Sequence, residues 1–235
     1  GGMKAWDKDE ARRLVEVSLL VYRDPATWAQ HLAPLGLRLL AVFDGEVTQG
    51  CVAGDGHGQV LAFRGTEFDE PADLLTNARL RLVPGPYGRV HRGTAQALDA
   101  VWPAVAAALD GEAPLWITGH SLGGAMALLA AARVPAERVQ AVHLFGAPRL
   151  GDADFAQACE AALGPRTWRY TNHHDVVPRL MGPPLPFRHV GREVYFDGDG
   201  QVHVMAPGAS APEGKGVDGL ADHLVPRYAE VLRGA

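Results

Sequence analysis

The sequence predicts an α/β fold in which a mostly parallel sheet is covered by helices on both faces. Strand-like apolar runs alternate along the chain with segments whose apolar residues recur every three or four positions, the pattern of parallel strands joined by helices. Hydrophobic residues make up 47% of the 235 residues and charged residues 21%, which is typical of globular proteins. Because no internal repeat or linker-like boundary is visible, residues 3–235 are expected to form a single domain.

The first half of the chain is predicted to begin with helices and to continue into strands. Apolar residues at helical spacing predict the first helix, and an Asp-Pro pair predicts the cap of a short second one. Turn residues then separate three strand-like runs. The predicted elements are helices at 9–22 and 25–34, strands at 37–43, 47–53 and 59–63, and helices at 71–80 and 94–109. Pro103 predicts a kink in the last of these helices or a later start.

The second half of the chain continues the alternation of strands and helices. The predicted elements are strands at 115–118, 139–145 and 167–170, helices at 121–133, 153–163 and about 218–233, and a hairpin of strands at 190–196 and 201–205. A loop at 172–188 contains four prolines and is long enough to carry function. A second loop, rich in Gly, Ala and Pro, covers 206–217.

Charge and cysteine content exclude several classes of protein. The chain carries 22 basic and 27 acidic side chains, a net charge of -5, without a basic block, so nucleic acid is not an expected partner. Cys51 and Cys159 lie far apart and form no C-x-x-C pair, so a disulfide framework is excluded. We expect two free, buried thiols, with a single disulfide as the alternative.

The ends and the overall composition lead to expectations about source and location. There is no signal-peptide core and no run of about 18 apolar residues, so we expect a soluble protein, cytoplasmic unless a leader has been removed. Gly1 and Gly2 precede Met3 and are interpreted as a remnant of the expression vector. Arginine outnumbers lysine 19 to 3, which favours a GC-rich bacterial source.

The most specific local pattern is Gly-His-Ser-Leu-Gly at 119–123, between a predicted strand and a predicted helix. In a G-x-S-x-G elbow a strained turn presents a nucleophile, and glycines on either side avoid a collision. The turn would expose the Ser121 hydroxyl and aim the Leu122 backbone N–H at the space before it, where a helix N-terminus favours negative charge. The alternative is a glycine-rich turn with an N-capping serine. His120 is interpreted as structural, because its side chain should point away from the serine hydroxyl.

Five segments carry, in order, a resemblance to a known family. They are Phe-Arg-Gly-Thr at 63–66, Val-His-Arg-Gly at 90–93, Gly-His-Ser-Leu-Gly-Gly at 119–124, Phe-Gly-Ala-Pro-Arg-Leu-Gly at 145–151 and Asn-His-His-Asp-Val-Val-Pro at 172–178. Together they resemble the class 3 lipase family, the fungal-type triacylglycerol lipases and their bacterial relatives. The resemblance implies the α/β-hydrolase fold. Thr94 stands where many members have Phe, and the several disulfides of secreted fungal members cannot form here.

A reactive serine needs a base within hydrogen-bond reach and an acid that orients the base. In this fold the acid follows the serine in the chain and the histidine comes last. Asp175, just after a predicted strand, is the predicted acid. His223 follows the second long loop and is the predicted base, and residues 222–228 resemble the family's H-x-x-x-x-Y ending. The other histidines and aspartates are not assigned to the triad, because they fall in predicted strands, in turns, at helix starts or directly beside Asp175. They are His143, His173, His174, His189, His203, Asp152, Asp154, Asp197, Asp199 and, as a helix cap, Asp222.

The resemblance also implies an oxyanion hole. Thr66 is expected to donate its backbone N–H to the oxyanion beside that of Leu122; the alternative is a threonine that merely ends a strand. The implied reaction is acyl transfer through an acyl-enzyme, for which no metal ion and no organic cofactor is expected. Asp197 and Asp199 could suggest Ca²⁺, but their Asp-Gly repeat is more typical of a hairpin turn.

In the resembling lipases, a mobile helical lid follows the oxyanion residue, and here that segment covers 67–78. Phe68, Leu74 and Leu75 could form its apolar side, which would open at a lipid interface; the alternative is an ordinary surface helix. The apolar loop after the acid suggests an acyl-binding region, although its residues could equally belong to the core. The candidates in this loop are Leu180, Met181 and Phe187.

The sequence therefore predicts a carboxylic-ester hydrolase of the lipase or esterase type, acting on acylglycerols or other lipid-like esters. A phospholipase, a thioesterase or a feruloyl-type esterase could use the same residues. A binding domain that kept the fold without activity is the alternative of another class. The expected partners are a small ester or lipid and a lipid surface, and the oligomeric state is not predicted.

Overall fold

A computed structural model describes residues 2–65, 80–212 and 219–235. The strands among these residues are β1 (Arg38–Asp44), β2 (Gln49–Asp55), β3 (Gly58–Phe63), β4 (Leu82–Pro84), β5 (Arg89–His91), β6 (Leu115–His120), β7 (Val139–Phe145), β8 (Thr167–Asn172), β9 (Arg192–Phe196) and β10 (Val202–Val204). Eight of them form one sheet in the order β1-β2-β3-β6-β7-β8-β9-β10, and β4 pairs with β5. The strands from β3 to β9 in this sheet are parallel, while β2 and β10 run antiparallel to their neighbours.

Helices cover both faces of this sheet. In the described ranges they are α1 (Lys8–Leu20), α2 (Trp28–Leu32), α3 (Arg92–Ala108), α4 (Leu122–Arg133), α5 (Ala153–Leu163), α6 (Gly219–His223) and α7 (Val225–Gly234). One apolar core joins the sheet to α3, α4 and α5, and a second joins it to α1, α2 and α7. Along β2, Val52 faces the first core whereas Cys51 and Ala53 face the second, as strand alternation requires. The predicted α/β architecture is confirmed.

Local chemistry explains where several helices begin. Asp7 accepts a hydrogen bond from the Glu10 N–H at the start of α1, and Asp152 does the same for the first turn of α5. The ring of His91 caps α3 by accepting the Thr94 N–H. With this cap, α3 begins at Arg92. The helix continues through Pro103, so the alternative of a helix that starts only near this proline is wrong.

The C-terminal helix differs from its prediction. A single helix was expected at about 218–233, but α6 ends at His223 and α7 begins at Val225. Leu224 between them has extended backbone angles, and Pro226, in the first turn of α7, has no N–H with which to continue the hydrogen-bond ladder of α6. The break places His223 at the end of a short helix, with its side chain within hydrogen-bond distance of Ser121, the residue after β6.

The β4–β5 hairpin was not predicted, because strands of three residues are too short to show an alternation. The hairpin at β9 and β10 was predicted and is present. Cys51 and Cys159 are free and buried, and burial raises the pKa of each thiol to about 12, so both stay protonated. None of the helices in the described ranges is long and apolar enough to span a lipid bilayer. The predicted helix at 71–80 lies, except for its last residue, outside the described part of the chain.

Candidate active site

Ser121 lies on a strained turn between β6 and α4. Its backbone angles are φ 56° and ψ -130°, a combination that a residue with a side chain rarely adopts. The Ser121 N–H donates a hydrogen bond of 2.9 Å to the carbonyl of Phe145 on the neighbouring strand β7. The turn is therefore anchored to the sheet, and its strain is held in place by the strands around it.

The glycines of this turn are required by close backbone contacts. A Cβ atom on Gly119 would collide with the carbonyl oxygen of Gly123. A Cβ atom on Gly123 would lie 2.5 Å from the carbonyl oxygen of Phe63, at the end of β3. A Cβ atom on Gly124 would lie 2.6 Å from that of Ala147. The contacts let α4 start directly against β3 and β7, which points its N-terminus at the space beside Ser121.

The structure brings the three residues predicted as nucleophile, base and acid into one hydrogen-bonded chain. The Oγ of Ser121 lies 3.0 Å from Nε2 of His223, and Nδ1 of His223 lies 2.9 Å from Oδ2 of Asp175. Ser121 is 2% exposed and Asp175 is fully buried. The geometry is that of a serine whose proton can pass to an imidazole held by a carboxylate.

Asp175 accepts hydrogen bonds from two further groups. Its Oδ1 accepts the Val177 N–H at 2.9 Å, and its Oδ2 accepts the Tyr228 hydroxyl at 2.5 Å. Burial, together with the Asp175 carboxylate, raises the pKa of Tyr228 well above its ordinary value, so the phenol remains a donor. Gly146, with φ 57°, allows the backbone to approach: a Cβ atom there would lie 2.7 Å from Oδ2 of Asp175.

Tyr228 and Gly146 were not among the residues predicted for the site. Both belong to segments that carried the family resemblance, Tyr228 to the H-x-x-x-x-Y ending and Gly146 to the Phe-Gly-Ala-Pro segment. Their positions in these motifs could have identified both as residues of the site. Their contacts to Asp175 could not be foreseen, because the three residues come from different parts of the chain.

Of the two predicted oxyanion donors, one lies in the described part of the chain. Leu122 is the first residue of α4, so its N–H has no intrahelical acceptor. Thr66 lies outside the described residues. Gly65, the residue before it, approaches the turn closely, and a Cβ atom there would lie 3.3 Å from the Cβ of Ser121. The end of β3 therefore runs beside Ser121.

The apolar candidates differ in exposure. Phe187 is fully buried with its ring centroid 6.2 Å from that of His91, and Met181 is 4% exposed, whereas Leu180 is half-buried. Phe68, Leu74 and Leu75 lie outside the described residues. Two leucines that were not predicted, Leu220 and Leu224, flank His223 in sequence and are each 56% exposed.

Several of the other histidines considered as candidates for the base have polar partners outside the chain of Ser121, His223 and Asp175. These partners are Glu10 for His143, Asp222 for His173, Asp197 for His203 and the Pro178 carbonyl for His189. Asp222 lies inside α6 and accepts the His174 N–H, so its interpretation as a helix cap is wrong. Within residues 2–65, 80–212 and 219–235, no three His, Cys, Asp or Glu side chains form a group that could hold a metal ion.

Comparisons with known proteins extend this picture. Residues 60–184, just over half of the chain, match the family model for Lipase (class 3). The matched range includes Ser121 and Asp175, whereas His223 lies beyond it. The resemblance found in the five sequence segments is therefore confirmed.

Two curated relatives align with part of the chain. It is 34% identical over 102 residues to phospholipase A1-II 1 of Oryza sativa subsp. indica, covering 41% of this chain and 25% of that protein. It is 36% identical over 118 residues to secreted mono- and diacylglycerol lipase 1 of Fusarium solani, covering 46% of this chain and 34% of that protein. The chain thus spans about a quarter to a third of these relatives, which are a plant and a fungal protein. The bacterial source stays a prediction.

The solved structure of mono- and diacylglycerol lipase from Aspergillus oryzae has the same fold. It superposes with a TM-score of 0.71 over 96% of both chains at 20% sequence identity. An identity this low supports the α/β-hydrolase fold and nothing finer, and that predicted fold is confirmed. Because the family model extends over more than half of the chain, from β3 through the strained serine turn to the acid loop, this protein belongs to the class 3 lipase family.

Proposed function

We propose that this protein is a serine carboxylic-ester hydrolase that acts on acylglycerols or similar lipid esters through an acyl-enzyme. The observation that carries the proposal is the hydrogen-bonded chain from Ser121 through His223 to the buried Asp175. A strained backbone at Ser121 supports it, because such strain is retained where a side chain must be presented in a fixed direction. Membership of the class 3 lipase family supports the same reaction class.

In the proposed reaction, the Oγ of Ser121 attacks the ester carbonyl carbon while Nε2 of His223 takes the hydroxyl proton. The tetrahedral oxyanion accepts the N–H of Leu122 and, in our proposal, that of Thr66. As the carbon–oxygen bond of the ester breaks, His223 returns the proton to the departing alcohol and the acyl group stays on Ser121. Water then attacks the acyl carbon while His223 takes one of its protons. As the bond from this carbon to Oγ of Ser121 breaks, His223 returns the proton to Oγ and the free acid leaves.

Asp175 acts through His223 in this scheme. Its carboxylate accepts the Nδ1–H, which leaves Nε2 free to take the serine proton, and its negative charge stabilises the imidazolium that forms. Asp175 does not take the proton itself. Its bonds to Val177 and Tyr228 fix the carboxylate so that the imidazole is held in one orientation.

Two observations support a lipid-like substrate. The Fusarium solani relative is named as a mono- and diacylglycerol lipase. Leu220 and Leu224, three residues before and one residue after His223 in sequence, also place exposed apolar side chains on the segment that carries the proposed base, where an acyl chain or a lipid surface could lie. A phospholipid ester is the second candidate, because the rice relative is named as a phospholipase A1.

The proposal is tested by hydrolysis of p-nitrophenyl esters from acetate to palmitate, followed by emulsified diacylglycerol and phosphatidylcholine. Ser121→Ala is assayed in parallel and is expected to lower kcat by about 10⁶ while leaving the thermal midpoint nearly unchanged. Ser210→Ala is the matched control, because Ser210 is exposed and far from the elbow in sequence. It should retain full activity.

A rate that depends on Ser121 would support the ester chemistry, and the preferred ester would separate an esterase, an acylglycerol lipase and a phospholipase. A Ser121→Ala protein that hydrolyses esters as fast as the wild type would contradict the assignment. A folded wild type that is inactive on every ester tested would favour a binding domain with the hydrolase fold.

A further inference from the structure

His120, the residue before the nucleophile, makes two hydrogen bonds that link distant parts of the chain. Its Nε2 lies 2.5 Å from the backbone carbonyl oxygen of His223, and its Nδ1 lies 2.8 Å from the hydroxyl of Tyr22. The rings of His120 and His223 also face each other, with centroids 4.6 Å apart and an angle of 32° between their planes. His120 is 5% exposed, so water does not compete for these contacts.

These contacts determine which tautomer His120 adopts. A carbonyl oxygen can only accept, so Nε2 of His120 must carry the proton that it donates to His223. Burial lowers the pKa of His120 well below its ordinary value, and the nearby His223 lowers it further, so the ring is neutral and Nδ1 is an acceptor. The Tyr22 hydroxyl is then the donor to Nδ1. The His223 carbonyl therefore determines the tautomer, and the Tyr22 hydroxyl stabilises it by donating to Nδ1.

Tyr22 is itself held against the strand that leads to the predicted oxyanion residue. It follows α1, and the guanidinium of Arg64 lies 5.6 Å from its ring centroid. A Cβ atom on Gly65 would lie 2.6 Å from the Tyr22 hydroxyl, so the end of β3 packs directly on this phenol. The ring of Tyr22 meets that of His120 edge-on at 5.6 Å. The end of α1, the end of β3 and the backbone of His223 thus meet at His120.

We propose that His120 and Tyr22 are positioning residues for the base: the donated Nε2–H of His120 fixes the backbone of His223 at the end of α6, and the Tyr22 hydroxyl holds the His120 ring in place by donating to its Nδ1. The inference rests on the proposed hydrolase function. It adds two residues that act through His223, since His120 bonds to the backbone of His223 and Tyr22 bonds to His120. The fold explains why such a contact is needed: α6 has only five residues and is too short to be stable alone, so contacts with the surrounding chain set where His223 lies.

The test compares His120→Leu, His120→Gln and Tyr22→Phe with the wild type. A misplacement of the base by about 1 Å can cost about a hundredfold in rate, so we expect His120→Leu to lower kcat by about ten- to a hundredfold with KM nearly unchanged. His120→Gln should recover most of this loss, because its amide N–H can donate to the His223 carbonyl. Tyr22→Phe keeps the ring beside Arg64 and should lower kcat several-fold. Tyr195→Phe, on β9 beside His203, is the matched control and should leave kcat unchanged.

A second measurement reads the position of His223 without catalysis. The Nδ1 proton that His223 donates to Asp175 is followed by proton NMR as a low-field resonance. We expect it to stay sharp in the wild type, Tyr195→Phe and His120→Gln, and to broaden or disappear in His120→Leu. If His120→Leu does not fold, Tyr22→Phe is used for the same measurement, because this substitution removes only a hydroxyl group.

The two measurements separate the two proposals. A wild type without esterase activity in which the resonance still depends on His120 would overturn the hydrolase function and keep the positioning contact. An active wild type whose kcat and low-field resonance are both unchanged in His120→Leu would overturn the inference and keep the function. Equal loss in His120→Leu and His120→Gln would also contradict it, because the donated hydrogen bond would then not be the cause.

Discussion

The Asp175 carboxylate accepts hydrogen bonds from His223, Val177 and Tyr228 although it has no exposed surface. Burying a charge in this way is costly unless partners replace the lost water. The Val177 N–H belongs to the same loop as Asp175, whereas Tyr228 comes from α7. The Tyr228 hydroxyl also accepts the N–H of Asn172 at 3.0 Å, so one phenol bridges the end of β8 and the Asp175 carboxylate.

Tyr228→Phe is predicted to affect both stability and activity. It removes one donor from the buried carboxylate and leaves the Asn172 N–H without its acceptor. We expect the free energy of unfolding to fall by about 1–3 kcal/mol, the typical cost of leaving a buried polar group unpaired. We also expect kcat to fall about tenfold, because Asp175 then orients His223 less firmly. Urea unfolding and ester hydrolysis measure the two effects, and an unchanged value in both would contradict the bridging role.

The serine elbow depends on how two elements meet rather than on Ser121 alone. The end of β3 and the first turn of α4 touch through backbone atoms, since a Cβ on Gly123 would lie 2.5 Å from the Phe63 carbonyl and 2.8 Å from the Gly65 nitrogen. Backbone atoms held in a central strand cannot move aside as a flexible side chain can. Because β3 and α4 approach so closely, position 123 can hold only glycine.

Gly123→Ala is predicted to destabilise the protein severely. The added methyl group would force α4 away from β3 or break the elbow, so we expect a loss of more than about 3 kcal/mol or no folded protein. Gly111→Ala is the matched control, because no atom lies within 4 Å of a Cβ at this exposed position. It should change the free energy of unfolding by less than about 0.5 kcal/mol. Chemical denaturation monitored by circular dichroism measures both, and equal stability of the two variants would refute the steric argument.

Across the whole molecule, a half-buried polar network docks α1 on the sheet. The Glu10 carboxylate accepts hydrogen bonds from His143 at 2.8 Å, Trp116 at 2.9 Å and Lys4 at 2.7 Å. His143 continues the network to the Tyr170 hydroxyl at 2.8 Å. The network joins the N-terminal segment to β6, β7 and β8, so it connects parts of the chain that are more than 100 residues apart.

This network makes stability depend on pH. Burial by itself raises the pKa of Glu10, but hydrogen bonds from His143, Lys4 and Trp116 outweigh burial and lower it from 4.5 to about 2. A carboxyl with a lower pKa in the folded state stabilises the protein above its unfolded pKa, and this contribution is lost as the pH falls through the folded pKa. The contribution of Glu10 should therefore be complete above about pH 5 and disappear between about pH 4.5 and pH 2.

Glu10→Gln tests this expectation. We expect it to lower the free energy of unfolding by about 1–3 kcal/mol at pH 7, the usual contribution of hydrogen bonds to a charged group. The difference from the wild type should shrink as the pH falls below about 4.5. Glu230→Gln is the control, because Glu230 is 57% exposed and its ion pair with Arg227 is a surface contact. Urea titrations across this pH range decide the matter, and a difference that stays constant with pH would contradict the role of the Glu10 charge.

Elements with a clear periodicity were predicted closely. The strand at 139–145 and the helix at 153–163 have the predicted bounds, because each carries a complete apolar pattern with defined ends. The break at Leu224 and the β4–β5 hairpin escaped prediction. The break depends on one residue between two helical segments, and the hairpin on strands of three residues, so neither leaves a periodic trace.

Short sequence patterns identified Ser121, Asp175 and His223 as candidates and gave the order of the motifs. The steric requirements of a serine elbow and the chain order of the three residues in this fold leave few alternatives. The roles of Thr66, Phe68, Leu74 and Leu75 stay predictions. The contacts of Tyr22 and His223 with His120 join residues 98 and 103 positions apart, and no local pattern encodes them. Such contacts exist only once the sheet has stacked β6 beside β3 and packing has brought α1 and α6 to the same edge, because hydrogen bonds form between groups that folding places within about 3 Å of each other.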